Sequence, residues 1–184
     1  MLAGFVLAAL SAVLAGASLR RLGDLDFRAV GFLVVGLLAQ IVIISIVPDG
    51  NEGVREAVHI GSYLLVFVFL ALNWRIPGLP VLALGALLNF LAIAANGGVM
   101  PADPDAMRRA GREDVEGAFE NSRPVADPEL SFLGDRFAIP ESWPVSNVFS
   151  IGDVLIVLGA AVTMHTVGGS RLIPDRFSGT PRNA

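Results

Sequence analysis

Residues 76–102 read IPGLPVLALGALLNFLAIAANGGVMPA and contain no Asp, Glu, Lys or Arg. A helix built from this stretch has no charged face to turn toward water, so it belongs in a protein interior or in lipid. Length favours lipid, because a hydrocarbon core about 30 Å thick is crossed by roughly 20 residues rising about 1.5 Å each. Working outward, Met1–Leu19, Ala29–Pro48 and Ala57–Trp74 are equally free of charge, and Ser142–Ser170 holds a single one, Asp153. The expected fold is therefore all-α and integral to the membrane. It is a five-transmembrane-helix bundle with helices at about 2–19, 29–47, 57–74, 79–95 and 148–167. One long, partly helical extracytoplasmic segment, 97–147, joins the fourth and fifth helices. Residues 1–172 make a single membrane domain and 173–184 a polar C-terminal tail. Helices are preferred because an unpaired backbone group in lipid costs several kcal/mol, and no strand-like alternation is present.

Composition agrees. The chain has 184 residues, 54% of them hydrophobic and 16% charged, with a mean hydropathy of +0.66. Soluble domains carry about a quarter of their residues as charges. Cysteine is absent, which removes disulfides, thiolate metal sites and cysteine nucleophiles. All 13 basic residues are arginine and the net charge is −4, so no cationic footprint for nucleic acid exists. Two histidines without a paired motif point to no metal and no cofactor. The phosphate-loop, dinucleotide, zincin and serine-hydrolase motifs are missing.

The first apolar run has two readings. Ala15-Gly16-Ala17 looks like a signal-peptide cleavage site. However, Arg20 and Arg21 follow the run instead of preceding it, and Gly4, Ala8, Ala12 and Gly16 form a small-residue stripe suited to close helix packing. Arginine placement sets orientation. Arg20, Arg21 and Arg28 in the first loop and Arg171, Arg176 and Arg182 in the tail put those segments in the cytoplasm. Five spans then leave the N-terminus and the long segment outside. That segment holds 10 of the 17 acidic residues. Within it, Asp103-Pro104-Asp105 predicts a capped short helix through Met107 and Arg109, ended by Gly111, followed by a proline-punctuated return.

Polar side chains within the spans are the candidate site. Gln40, Ser45, His59, Ser62, Tyr63, Asn89, Asn96 and Asp153 all fall toward the outer half, which predicts an outward-facing polar cleft; scattered interhelical hydrogen bonds are the alternative. Asp153 marks function or caps its helix. Asn96-Gly97-Gly98 stops the fourth helix, and Asn96 can also point its amide into the cleft. His59, Asn89, Asn96, Arg136 and Ser150 are the candidate binding residues, with Arg136 suited to an anionic headgroup.

Asn96-Gly97-Gly98-Val99-Met100-Pro101, Leu133-Gly134-Asp135-Arg136-Phe137 and Val148-Phe149-Ser150-Ile151-Gly152-Asp153 together resemble an uncharacterised family of small bacterial multi-pass membrane proteins, a domain of unknown function. That resemblance implies no activity. A more local one does: Phe149-Ser150-Ile151-Gly152-Asp153 is similar to the aspartate motif of the lipoprotein signal peptidases. Those enzymes pair its aspartate with another 18 or 19 positions earlier, and Asp135 stands 18 positions before Asp153. Ser150 and Gly152 depart from that motif, and its lysine-containing partner motif is missing.

Two carboxylates within hydrogen-bond reach share a proton and can cleave an amide without metal. Asp135 and Asp153 are the candidate catalytic pair of such a membrane aspartic hydrolase. Alternatively Asp135 pairs with Arg136 or caps a turn. The leading expectation is a non-enzymatic accessory subunit or lipid- or small-molecule-binding protein, its partners being membrane lipid and a membrane-protein complex. A transporter, which wants broken helices and several buried charges, is third.

Overall fold

Gly78, at φ 92°, and Pro80 in the first turn launch helix α5, Leu79–Ala95, within the limits expected from the sequence. The computed structural model describes residues 1–18, 20–45, 52–112 and 122–174. Residues 46–47 of the expected second helix and most of the expected tail lie outside them, as does the side chain of Ser45. Helix α5 packs against α7, Ile151–Gly168, and glycines set the separation. A Cβ on Gly85 would run into the Gly152 carbonyl, one on Gly152 into the Asn89 side chain, and one on Gly78 into the Gly159 carbonyl. Gly78 and Gly85 are seven residues apart, as are Gly152 and Gly159, so each pair recurs on one helix face. Close backbone approach of this kind replaces bulky side-chain packing. Thr163 ties the crossing by donating its hydroxyl to Pro77 O at 2.8 Å.

Helix α1, Leu2–Leu14, lies on α7 with Ala8 and Ala12 buried and Gly4 against Val157, so the small-residue stripe is its packed face. It ends five residues before the expected limit because Gly16 takes φ 83°. The chain then leaves the helix and bonds backbone to backbone: Ala17 N–H to Ala12 O, Ser18 N–H to Gly168 O and Arg171 N–H to Ala15 O, each 2.9 Å. A single turn, α2, Arg20–Gly23, follows. Helix α3, Val30–Ser45, packs on α4, Glu52–Leu72, with Gly36 facing the Ser62 carbonyl. Helix α4 starts five residues earlier than expected. Direct packing runs α3, α4, α5, α7, α1.

Helices α1 and α7 are shorter than the spans expected of them. Among the described residues, α7 alone is both long and apolar enough to cross a membrane, at 18 residues and mean hydropathy 1.6. Leu2–Leu14, Val30–Val42, Ala57–Leu72 and Leu79–Ala95 are apolar but shorter. The trimming has local causes. Gly16 stops α1, Gly97 and Gly98 stop α5 at φ 64° and 82°, and Val148 and Phe149 pair as a strand ahead of α7.

The segment between α5 and α7 folds as a cap. Strand β1, Met100–Pro101, pairs in parallel with β2, Ser122–Arg123. Helix α6, Pro104–Arg109, is the expected capped helix: Asp103 Oδ1 accepts from Ala106 N–H at 2.9 Å, and Gly111, at φ 65°, follows its end. A 3-10 turn, Ser131–Leu133, leads to β3, Phe137–Ile139, which pairs antiparallel with β4, Asn147–Phe149. The strands are unexpected, because two- and three-residue pairings leave no periodic signature. Ala102, Ala106, Met107, Ala110 and Val148 form the cap's own core. A second cluster, Ala92, Ile93, Met100 and Leu133 with Tyr63 and Leu88 against it, seats the cap on the ends of α4 and α5.

Candidate functional site

Ser150 and Asp153 sit at the start of α7 as a reciprocal capping box. The Ser150 Oγ accepts from Asp153 N–H at 3.0 Å, and Asp153 Oδ2 accepts from Ser150 N–H at 3.3 Å. The free donors of a helix start are satisfied in this way. The buried Asn89 side chain completes the unit from α5: its Nδ2 donates to Asp153 Oδ1 at 2.8 Å and its Oδ1 accepts from Ser150 Oγ at 2.7 Å. Ser150 is fully buried. The cap reading of Asp153 holds in altered form: Ser150 is the N-cap residue, α7 already runs from Ile151, and Asp153 supports the cap from the third helical position with both carboxylate oxygens occupied.

Asp135 enters from the cap. Its backbone bridges Ala102, with Asp135 N–H on Pro101 O and Asp103 N–H on Asp135 O, both 2.9 Å. Its side chain is 7% exposed, and Oδ2 accepts from Ser122 Oγ at 2.6 Å while the buried Oδ1 has no partner. Burial pushes this carboxyl up to about 6; the Ser122 hydrogen bond opposes the rise, the Asp153 charge adds to it, and Arg112 and the N-terminal ammonium oppose it. Asp135 and Asp153 are therefore within electrostatic reach of each other, and both also act on the Tyr63 hydroxyl. They are not hydrogen-bonded to each other. The expected alternative partner, Arg136, is exposed and makes no ion pair with Asp135; Arg108 pairs with Asp105 on α6.

His59 is 4% exposed, stacks on Tyr63 with ring centroids 5.5 Å apart and lies against the Gly98 backbone. Among the described residues its Nε2 is buried without a partner. Such atoms are rare in folded proteins and cost about 1–3 kcal/mol each. His59 Nε2 and Asp135 Oδ1 are thus the polar atoms at this end left over after the protein has satisfied itself. Asn96 is not one of them. Its Nδ2 donates to Ala92 O at 2.7 Å and Glu129 O at 2.8 Å, and its Oδ1 accepts from Glu129 N–H at 3.0 Å. The amide expected to face a cleft is a strut between α5 and the cap.

Sequence reasoning placed His59, Asn89, Asn96, Asp135, Ser150 and Asp153 at one end of the bundle, where they lie, and Arg136 on the cap's surface. It missed Ser122, whose signal is invisible because β1 and β2 meet only in the fold. It also missed the Ser150-Ile151-Gly152-Asp153 capping box, which is legible as a serine followed three positions later by an acid.

The raised Asp135 carboxyl has a measurable consequence. A group whose proton affinity is higher in the folded state contributes stability that is complete below its unfolded value near 3.8 and is lost as pH rises through about 6. Asp135→Asn keeps an acceptor for Ser122 and removes the charge. The variant is expected to gain on the wild type from pH 4 to pH 7, ending on the order of 2 kcal/mol more stable. Thermal unfolding of both proteins across that range checks this; a constant difference refutes it.

Comparison with known proteins adds a family and no activity. An uncharacterised protein of Thermotoga maritima is 27% identical over 101 residues, 55% of this chain, and the chain spans 58% of that relative's length. No solved structure matches. The family model of DUF5317, a family of unknown function, matches residues 24–165, which include the Asn89, Ser150 and Asp153 ring together with Asp135 and His59, and the chain belongs to that family.

Proposed function

We propose that the chain is a multi-pass protein of the cell membrane that crosses it five times, N-terminus outside and C-terminus cytoplasmic. It acts without catalysis, as an accessory or lipid- and small-molecule-binding protein whose cap is the outward face. The observation that carries this reading is the bare apolar belt. Leu7, Leu14, Val35, Leu38, Ile41, Leu64 and Leu158, on α1, α3, α4 and α7, stand 50–84% exposed. In water each would forgo about 25 cal/mol for every Å² left uncovered, and so many exposed apolar side chains on four helices fit an apolar partner. Lipid removes the cost.

The short helices are compatible with crossing. Helix α1 rises about 20 Å, and the non-helical Ala15–Ser18 that extends it has every N–H bonded to a backbone carbonyl, the condition on which irregular backbone is tolerated at membrane depth. Arginines support the orientation. Arg21 reaches Gly169, Arg171 lies beside Gly16, and Arg28 and Arg75 border one groove, so the arginines of the short loops and of the chain after α7 meet at the end opposite the cap, while the long cap segment carries five of its own. Against a hydrolase stand the separate commitments of the two carboxylates, Asp153 to its cap and Asn89, Asp135 to Ser122. Binding at the outer end is supported by the unpartnered His59 Nε2 and Asp135 Oδ1.

The natural absence of cysteine makes the test direct. Ala126→Cys on the cap and Asp24→Cys in the first loop are expressed separately and treated on intact cells with a membrane-impermeant maleimide. Ala126→Cys is expected to label at once and Asp24→Cys only after permeabilisation. Equal labelling of both, or recovery of the protein in the soluble fraction after alkaline extraction, overturns the five-span reading.

A further inference from the structure

At the end of the bundle away from the cap lies a groove of about 420 Å³, bordered by Asp26, Arg28, Asn73, Trp74, Arg75 and Ile76 among others. Its floor is built. Asn73, 4% exposed, clasps the backbone of residue 28 in both directions: Arg28 N–H donates to Asn73 Oδ1 and Asn73 Nδ2 donates to Arg28 O, both at 2.9 Å. The same Nδ2 donates to Phe69 O at 2.8 Å, anchoring the clasp to the last turns of α4. The loop before α3 is thereby held against the end of α4 by an amide side chain bonded to its main chain, and these bonds do not use the Arg28 guanidinium. Among the described residues neither Arg28 nor Arg75 belongs to an ion pair. Arg75 lies over the Trp74 ring, 5.7 Å from its centroid, and the indole is 59% exposed.

Two arginines, one carboxylate and an indole around a cavity of ligand size make a defined chemistry. Guanidinium forks bind phosphate oxygens in pairs. Trp74 has the amphipathic character of a residue at headgroup depth. Asp26 limits the anion, since one carboxylate beside two arginines leaves a single net positive charge. We infer that this groove binds the headgroup of a membrane phospholipid, a phosphodiester of one negative charge, with the phosphate between Arg28 and Arg75. The inference rests on the membrane reading above, because the acyl chains must continue along the apolar belt beside α4. Anionic headgroups at basic sites on the cytoplasmic side are a general mode of lipid recognition.

The test uses the full chain purified in a non-ionic detergent, with dihexanoyl phosphatidylglycerol as the probe and native mass spectrometry and thermal shift as readouts. Wild type is expected to retain the lipid and gain several degrees. Arg28→Gln with Arg75→Gln is expected to bind at least tenfold more weakly while keeping the Asn73 clasp, which uses only backbone atoms of residue 28. Arg108→Gln, on the cap, is the control and should bind as wild type does. Equal retention by the double variant overturns the site. Displacement of the lipid by millimolar inorganic phosphate also overturns it, since the groove would then be a free-phosphate site. Ala126→Cys and Asp24→Cys, each placed in the double variant and in the otherwise wild-type chain, separate the two levels: the cap-outside pattern with unchanged lipid binding sinks this inference alone, whereas loss of that pattern in the otherwise wild-type chain sinks the span reading itself.

Discussion

Gly152→Val is expected to prevent the α5–α7 crossing from forming, leaving a protein that is degraded on expression or aggregates on extraction. A Cβ at this position would lie on the Asn89 side chain and within 2.7 Å of the Gly85 carbonyl. Neither obstacle can move freely. Asn89 is held by both Ser150 and Asp153, and the carbonyl belongs to a helix backbone. Relief requires the two helices to separate, which also draws Gly78 from Gly159. Overpacking typically costs about 1–3 kcal/mol where side chains can repack; here the obstacles are backbone and a fixed amide, so the loss exceeds that range. Gly61→Ala supplies the contrast, because nothing lies within 4 Å of its added methyl and alanine is the better helix former. Size-exclusion profiles of the two variants decide the matter: a monodisperse Gly152→Val protein with wild-type unfolding temperature would refute the glycine-set crossing.

The second large effect is expected at Asn89→Leu. The side chain is similar in bulk, but the change strips the donor from Asp153 Oδ1 and the acceptor from Ser150 Oγ in one step. Ser150 is 0% exposed, so water cannot replace what is lost. Leaving a half-buried carboxylate and a fully buried hydroxyl short of partners costs on the order of 3 kcal/mol, which for a chain of this size lowers the unfolding temperature by roughly 10 °C. Asn89→Asp gives an independent check. It places a second carboxylate on Asp153, so the variant should be destabilised at neutral pH and recover in acid, where one proton relieves the repulsion. Loss without acid recovery would mean that Asn89 matters for shape alone. Because the ring joins α5 to α7, both variants should also loosen the Asn96 strut and the cap, raising amide exchange around Glu129.

How much of this was legible follows from the range of each signal. The α5 limits were readable because both stops, Gly78-Leu79-Pro80 and Asn96-Gly97-Gly98, are encoded within a few residues. Helix α6 was readable for the same reason, through Asp103, Pro104 and Gly111. The end of α1 was misjudged: hydropathy continues to Leu19, whereas the backbone turns at Gly16 and closes its hydrogen bonds on Gly168, more than 150 residues away. The start of α7 was misjudged because Val148 and Phe149 satisfy any apolar criterion yet pair with Ala138 and Phe137.

The candidate site divides in the same way. Asn89, Ser150 and Asp153 were chosen because polar groups in apolar runs are costly, and that cost is local. Whether Asp153 worked as an acid or as a cap depended on which side chain faced it across the α5–α7 contact, and the answer was Asn89. The small-residue stripe of α1 was visible as Gly4, Ala8 and Ala12, but the glycine pairs at 78/85 and 152/159 draw meaning only from each other.

By itself, the order of residues determined where apolar runs lie, where they break, and which polar residues, among them His59, Asn89 and Asp153, fall within them, since solvation energies and turn preferences act on each residue and its neighbours. Only the tertiary structure decided that Asp135 would be buried with one oxygen unpaired, that Arg28 and Arg75 would flank one groove, and that four glycines would set a helix crossing. Those outcomes depend on atoms tens of residues apart arriving within a few ångströms, and no local preference carries that distance.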